Sequence, residues 1–145
     1  MAGKVTDYMT RKVISVKPET GVREAFFKMK EHHIRHLPVV DDDNRLIGIV
    51  SDRELRRPEW VDESIDITHV YYLDDEITVG DVMIKRVHVI STRDTLRRAV
   101  RLLLENHIGA APVLDKKGAL VGMLSAVDLM RALNDLIDEQ RSGTS

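Results

Sequence analysis

Two stretches of the chain, Gly48-Ile49-Val50-Ser51-Asp52-Arg53-Glu54 and Gly122-Met123-Leu124-Ser125-Ala126-Val127-Asp128, place a serine three residues ahead of a carboxylate. In each, the apolar pair behind the glycine reads as a strand, and the residues after the serine read as a helix start. A hydroxyl at a helix start lies beside backbone N–H groups that have no intrahelical partner. A phosphate or a ribose oxygen can be held there. A carboxylate one turn on can accept hydrogen bonds from both ribose hydroxyls, as acidic residues do in dinucleotide folds. The glycine lets the backbone come close. The same spacing is also a capping box, which stabilises a helix start by ~1 kcal/mol and needs no ligand.

These two stretches belong to a longer internal repeat. Shifted by 74 residues, the chain matches itself without a gap, and 17 of the 53 pairs between positions 5 and 57 are identical. Val5-Thr6-Asp7-Tyr8-Met9 lies over Val79-Gly80-Asp81-Val82-Met83, and Pro38-Val39-Val40-Asp41 over Pro112-Val113-Leu114-Asp115. Each copy opens with a short segment ending at Met9 or Met83. A strand-length apolar run follows, over 13–16 or 87–90. The residues Val22, Ala25, Phe26 and Met29, like Leu96, Ala99, Val100 and Leu103, then recur at the spacing of one helical face. Two strands follow in each copy, over 37–40 and 46–50 and over 111–114 and 120–124. They are joined by turns whose Asn44 and Gly118 tolerate φ > 0. A second helix starts after Ser51 or Ser125. The unit is β-α-β-β-α with a three-stranded sheet, and the fold class is α+β. One copy has too little core to stand alone. Two copies packed sheet to sheet about a pseudo-two-fold axis would leave clefts where ligands tend to bind.

Residues 1–57 form the first repeat and 78–139 the second, with an extended final helix. A tail over 140–145 is expected to be disordered. Between the repeats, residues 58–77 carry seven acidic and no basic side chains, yet Trp60, Val61, Ile65, Ile67, Val70, Tyr71, Tyr72 and Leu73 make the segment too apolar for a free linker. An ordered connector with an acidic outer face is expected. Leu129, Met130, Leu133, Leu136 and Ile137 form a helical stripe that outlasts its counterpart in the first repeat, so the extra turns are expected to meet a partner.

Net charge is −2 over 145 residues, which argues against a nucleic-acid duplex as partner. The absence of cysteine excludes disulfides, thiolate metal sites and a cysteine nucleophile. No apolar run reaches the ~18 residues of a membrane span. The opening residues lack the apolar region of a signal peptide. A cytoplasmic setting with no membrane association is expected. No nucleophile–base set, phosphate-binding loop or dinucleotide fingerprint is present, so catalytic residues, and an enzyme, are not expected. His32, His33 and His36 hint at a metal, but the strand at Pro38 should end the helix near Ile34, and no metal site is predicted. The acidic run Asp41-Asp42-Asp43 reads as a solvated hairpin turn.

With the repeat, the Pro-Val-(Val/Leu)-Asp strands and the two Gly-x-x-Ser-x-x-acid turns, the chain resembles a tandem pair of cystathionine β-synthase (CBS) domains, a Bateman module of the stand-alone prokaryotic type. The resemblance covers residues 4–57 and 78–133. It implies an adenine-nucleotide sensor that binds AMP, ADP or ATP in the cleft between the repeats and passes the change to a regulated partner. It also implies a homodimer paired through its helices and no resident cofactor. S-adenosylmethionine, NAD, a cyclic dinucleotide, or a ligand-free interaction module stand as alternatives. Carried over residue by residue, Asp128 would bind the ribose hydroxyls and Ser125 would lie near the ribose or phosphate. The adenine would lie between Val87, His88 and Val89 on one side and Ile108, Gly109 and Ala110 on the other. The first repeat offers Val13, Ile14, Ile34, Arg35, His36, Ser51 and Glu54. There Glu54 replaces the usual aspartate, and Arg35 and His36 replace the small Gly109 and Ala110. Arg35, His36 and Arg53 would instead reach across the seam to a phosphate held by the second repeat.

Overall fold

The computed structural model describes residues 3–56 and 77–143. The expected connector over 58–77 therefore lies outside the described residues except at its last position, and so do residues 144 and 145 of the expected tail. The elements in chain order are α1 (Val5–Tyr8), α2 (Val22–His32), β1 (His36–Val40), β2 (Leu46–Ser51), α3 (Asp52–Arg56), α4 (Val79–Val82), β3 (Ile90–Ser91), α5 (Leu96–Asn106), β4 (Ala110–Leu114), β5 (Leu120–Ser125) and α6 (Ala126–Gly143). The class is α+β.

Compact units and sequence repeats divide the chain differently. One unit comprises Met1–Val13 with His88–Ser145, the other Ile14–Val87. Each repeat thus lends its opening helix to the unit built by the other. In the unit ending at Ser145, Thr10 pairs with Met123 of β5 through two backbone bonds of 2.8 and 3.0 Å. In the other, Ile84 pairs with Ile49 of β2 through bonds of 2.8 and 3.0 Å. This exchange explains the two strand glycines. A Cβ on Gly122 would stand 2.7 Å from Met9 Sδ and 3.1 Å from the Thr10 carbonyl oxygen. On Gly48 it would stand 2.5 Å from Met83 Sδ and 3.1 Å from the Ile84 carbonyl oxygen. What comes close at each glycine is the opening segment of the other repeat.

The unit containing α6 has the expected three strands, with β3 parallel to β4 and β4 antiparallel to β5. The other unit has two, β1 and β2, and the expected strand over 13–16 shrinks to one parallel bridge between Val16 and Val39. Proline accounts for the difference. The Thr92 N–H donates to the Leu114 carbonyl at 3.0 Å and extends β3. The residue 74 positions earlier is Pro18, which has no N–H to give. The hairpin turns match in detail. Asp41 Oδ1 accepts from the Asp43 and Arg45 N–H groups, and Asp115 Oδ1 from those of Lys117 and Ala119, all at 2.9 Å. Asn44 and Gly118 take φ of 60° and 84°. These backbone bonds hold the Asp115 carboxyl below its usual range.

Each unit has its own core. Val22, Phe26, Met29, Leu37, Val50 and Leu55 cluster with Val79 in one. Val5, Met9, Ile90, Leu103, Val113 and Leu124 cluster in the other. The helices α2 and α5 both end on a histidine in the left-handed region, His33 and His107, at φ 54° and 53°. His32 and His33 face solvent at that cap, and no group of three metal-ligating side chains occurs among the described residues. No helix among the described residues is long and apolar enough to cross a membrane.

The last helix departs from expectation twice. It continues to Gly143, where a disordered tail from Gln140 was expected, because Gln140-Arg141-Ser142 holds no helix breaker. The predicted stripe also splits. Asp128 and Ala132 are the buried residues of α6, whereas Met130, Leu133 and Ile137 are exposed. Tyr8 of α1 donates to Asp135 of α6 at 2.6 Å, and that bond lifts the phenol to about 12.

Candidate functional site

The strand register brings four predicted residues of the second repeat, Gly109, Ala110, Ser125 and Asp128, to one corner. Ala110 at the start of β4 pairs with Ser125 at the end of β5. The Ala126 N–H donates to the Gly109 carbonyl at 2.9 Å, which sets Gly109 beside the start of α6. Asp128, one turn into α6, is only 3% exposed. Its Oδ2 accepts from the Ser125 N–H at 2.9 Å and from Ser125 Oγ at 3.2 Å. Its Oδ1 accepts from Arg131 Nη1 at 3.0 Å. The Asp128 N–H in turn donates to Ser125 Oγ at 3.3 Å. The serine–acid pair therefore closes a capping box. A buried carboxylate so held is fixed in position and keeps acceptor capacity. Of about four lone-pair sites on a carboxylate, these three donors leave one on Oδ1.

Arg131 is the residue that sequence reasoning missed. Its signal was the i, i+3 spacing from Asp128, which places an arginine over that acid on the helix surface. Ile108 packs half-buried on the core. His88 and Val89 precede β3 and are exposed. Val87 ends the other unit, so the structure does not assemble all six predicted base-pocket residues within one unit.

The first repeat repeats the geometry with different side chains. His36 pairs with Ser51, and the Asp52 N–H donates to the Arg35 carbonyl at 2.9 Å. Ser51 Oγ donates to Glu54 Oε2, so the longer acid still reaches its serine. Ile14 and Ile34 pack on the core, Arg35 and Arg53 are exposed, and Val13 ends the other unit. Beside this corner lies an open depression of about 420 Å³, lined by Phe26, Met29, Lys30, His33, Ile34, Arg35 and Asp52. Three of those seven are basic types, so an anionic group would meet little repulsion there. A second depression of about 450 Å³ runs along α5 past Arg97, Arg98 and Arg101 and contains none of the predicted residues.

Burial pushes His36 below the usual histidine range; Asp52 and Glu54 oppose this, and Arg35 adds to it. The folded protein therefore prefers the neutral imidazole. Stability from this group is complete above the unfolded value of about 6.5 and is lost as pH falls below it, because the unfolded chain takes up the proton first. His36→Gln should flatten that part of the stability–pH curve between about pH 5 and 7. Urea midpoints of both proteins across that range measure it, and parallel curves would remove His36 as the cause.

Comparison with known proteins agrees with this architecture. The CBS domain model matches residues 5–59 and 79–135. A 17.7 kDa protein of Acidianus ambivalens is 32% identical over 94% of this chain and 76% of its own length. The crystal structure of CBSX2, a CBS-pair protein of Arabidopsis thaliana, superposes with a TM-score of 0.82 at 31% identity, covering 95% of this chain and 99% of that one. CBSX2 in complex with AMP gives a TM-score of 0.75 at 32% identity, over 92% of this chain and 97% of that one.

Proposed function

This chain belongs to the CBS domain family, and from that premise we propose that it is a regulatory module that binds an adenine nucleotide, AMP, ADP or ATP, and passes the change to a partner protein. One observation carries the reading: a buried carboxylate, Asp128, stands beside Ser125, Gly109 and Ala110, with its last acceptor site free of the three bonds that fix it. The ribose hydroxyls would meet Asp128. The adenine would lie along Gly109 and Ala110, where the absence of large side chains leaves room for a flat ring, with Val87, His88 and Val89 on its other side. In the first repeat, Arg35, His36 and Arg53 would hold phosphate instead, since an arginine fork matches phosphate oxygens. That CBSX2, at 32% identity, holds AMP supports the choice of ligand.

The reading is of a binding module and not of an enzyme. It works by differential affinity: the nucleotide binds one arrangement of the chain better than another, and the partner reads the arrangement favoured. A cytoplasmic setting, the domain limits inferred from the repeat, and pairing with a second copy belong to the same reading. Thermal unfolding of the full chain with AMP, ADP and ATP tests it. A true ligand at 100 times its Kd adds about 2.7 kcal/mol of stability. A Tm unmoved by millimolar concentrations of all three would end the proposal.

A further inference from the structure

The first half of α5 carries three exposed arginines, Arg97, Arg98 and Arg101, where the helix gains nothing from them. Arg97 and Arg98 stand in its first turn, which holds no acidic side chain. Cations there oppose the positive end of the helix dipole. Arg101 lies one turn on from both, so like charges meet at i, i+3 and i, i+4. The internal repeat supplies a control. At the positions 74 residues earlier stand Arg23, Glu24 and Phe27, which carry no net charge and put an acid in the first turn of α2. The fold itself therefore does not require three cations there. Of the three, only Arg98 pairs with an acid among the described residues, Asp94 at 3.5 Å, and its side chain is still 79% exposed. The arginines line the open depression of about 450 Å³ beside α5. Two i, i+4 rows of the helix form it, Arg97–Arg101–Glu105 and Arg98–Leu102, and Leu102 packs half-buried on the core as its floor.

We propose that this trough docks an extended acidic segment of a partner protein, with carboxylates at alternate positions facing Arg97 and Arg101 and a basic side chain facing Glu105. The inference rests on the functional reading only in that a partner is contacted; it does not depend on the nucleotide. Charge and spacing select the occupant. Successive members of an i, i+4 row stand about 6 Å apart along a helix, and alternate side chains of an extended strand about 6.6 Å apart. The two registers agree over three positions. Guanidinium forks match carboxylates in a bidentate fit. Glu105 closes the row with the opposite sign. It repels a third acid, which fixes the pattern as acid-x-acid-x-base in either chain direction. A nucleic-acid strand, charged at every step, would set a phosphate against Glu105. An open trough also covers too little of a small molecule, whose sites bury most of its surface.

Fluorescence anisotropy of labelled peptides with the full chain tests this. A peptide with the core Glu-Thr-Glu-Thr-Lys between neutral flanks should bind. The same residues ordered Glu-Thr-Lys-Thr-Glu should bind about tenfold more weakly, because two exposed pairs are lost and two repulsions gained. Arg97→Gln combined with Arg101→Gln should abolish binding of the first peptide and leave Tm unchanged or higher, since like charges are removed. Glu105→Lys should reverse the choice at the last position, so that a core of Glu-Thr-Glu-Thr-Glu now binds better than the one ending in lysine. Equal binding of the two orderings would overturn the proposal, as would peptide binding that survives the double glutamine variant. A single-stranded RNA oligonucleotide that binds more tightly than the first peptide would replace the protein segment as occupant and overturn it too. The thermal shift with AMP is read separately. Its persistence in the double glutamine variant is expected, and its absence in the parent chain would end the nucleotide reading while leaving the peptide result to decide this surface.

Discussion

Asp128→Asn is expected to lower the affinity for AMP by more than 100-fold while leaving the chain folded. Two ribose hydroxyls donating to a carboxylate are charge-assisted bonds, each of about 1.5–3 kcal/mol. Losing the charge weakens both, and two orders of magnitude correspond to only about 2.7 kcal/mol. Asparagine keeps the size of the side chain and an oxygen for Ser125 or Arg131, so the helix start survives with a cost near the ~1 kcal/mol of a weakened cap. The two readouts separate the rival roles. A carboxylate that serves only as a cap would lose that stability and bind AMP as tightly as before, and such a result in calorimetry would remove Asp128 from the site. The existing bonds add a second expectation. Three donors already occupy the carboxylate, so a ribose engaging it with both hydroxyls must displace one of them. The Ser125 Oγ bond, at 3.2 Å, is the longest and the most easily given up. Ser125→Ala should therefore weaken binding far less than the change at Asp128.

What the sequence made legible was local or self-similar. The 74-residue offset exposed both repeats, and the Asn44 and Gly118 turns followed from the residues' tolerance of positive φ. The serine–acid pairs needed only a spacing of three. What escaped was either long-range or ambiguous in phase. No local pattern tells that Met9 packs on Gly122, more than 100 residues away, in place of a strand of its own repeat. The shortened strand before Pro18 was readable in principle. It required knowing that the equivalent Thr92 N–H closes the ladder in the other repeat. The α6 stripe failed for a geometric reason. Leu129 and Leu136 sit half-buried on one flank and Met130, Leu133 and Ile137 on the outward one. A helix with apolar residues on both sides shows its periodicity without showing which side is inside. Of the candidate site, Ser125 and Asp128 come together as their spacing of three implied, and Gly109 and Ala110, which only the family resemblance supplied, lie beside Ser125 through the β4–β5 register. Arg131 did not stand out, because an arginine one turn past an acid on a helix is commonplace.

The exchange of opening segments leads to the second large effect, at Gly122. Gly122→Val is expected to destabilise the chain by about 1–3 kcal/mol or more, the range for forcing methyl groups into a filled site, and to lower Tm by roughly 5–10 °C. The first added carbon already stands 2.7 Å from Met9 Sδ and 3.1 Å from the Thr10 carbonyl oxygen. The thioether can turn away. The carbonyl cannot, because it accepts from the Met123 N–H at 3.0 Å while the Thr10 N–H donates to the Met123 carbonyl at 2.8 Å. Moving Thr10 breaks that two-bond bridge and strips Val5 and Met9 from the core they share with Leu124. The loss should therefore be regional as well as global. Amide exchange at Thr10 and Met123 should lose protection before the β4–β5 ladder does. Gly122→Ala combined with Met9→Ala separates the two obstacles: it removes the sulfur and leaves the carbonyl. Partial recovery relative to Gly122→Ala alone is expected. Full recovery would reduce the role of Gly122 to making room for one flexible side chain, and an unperturbed Gly122→Val protein would show that the opening segment does not rest on β5 at all.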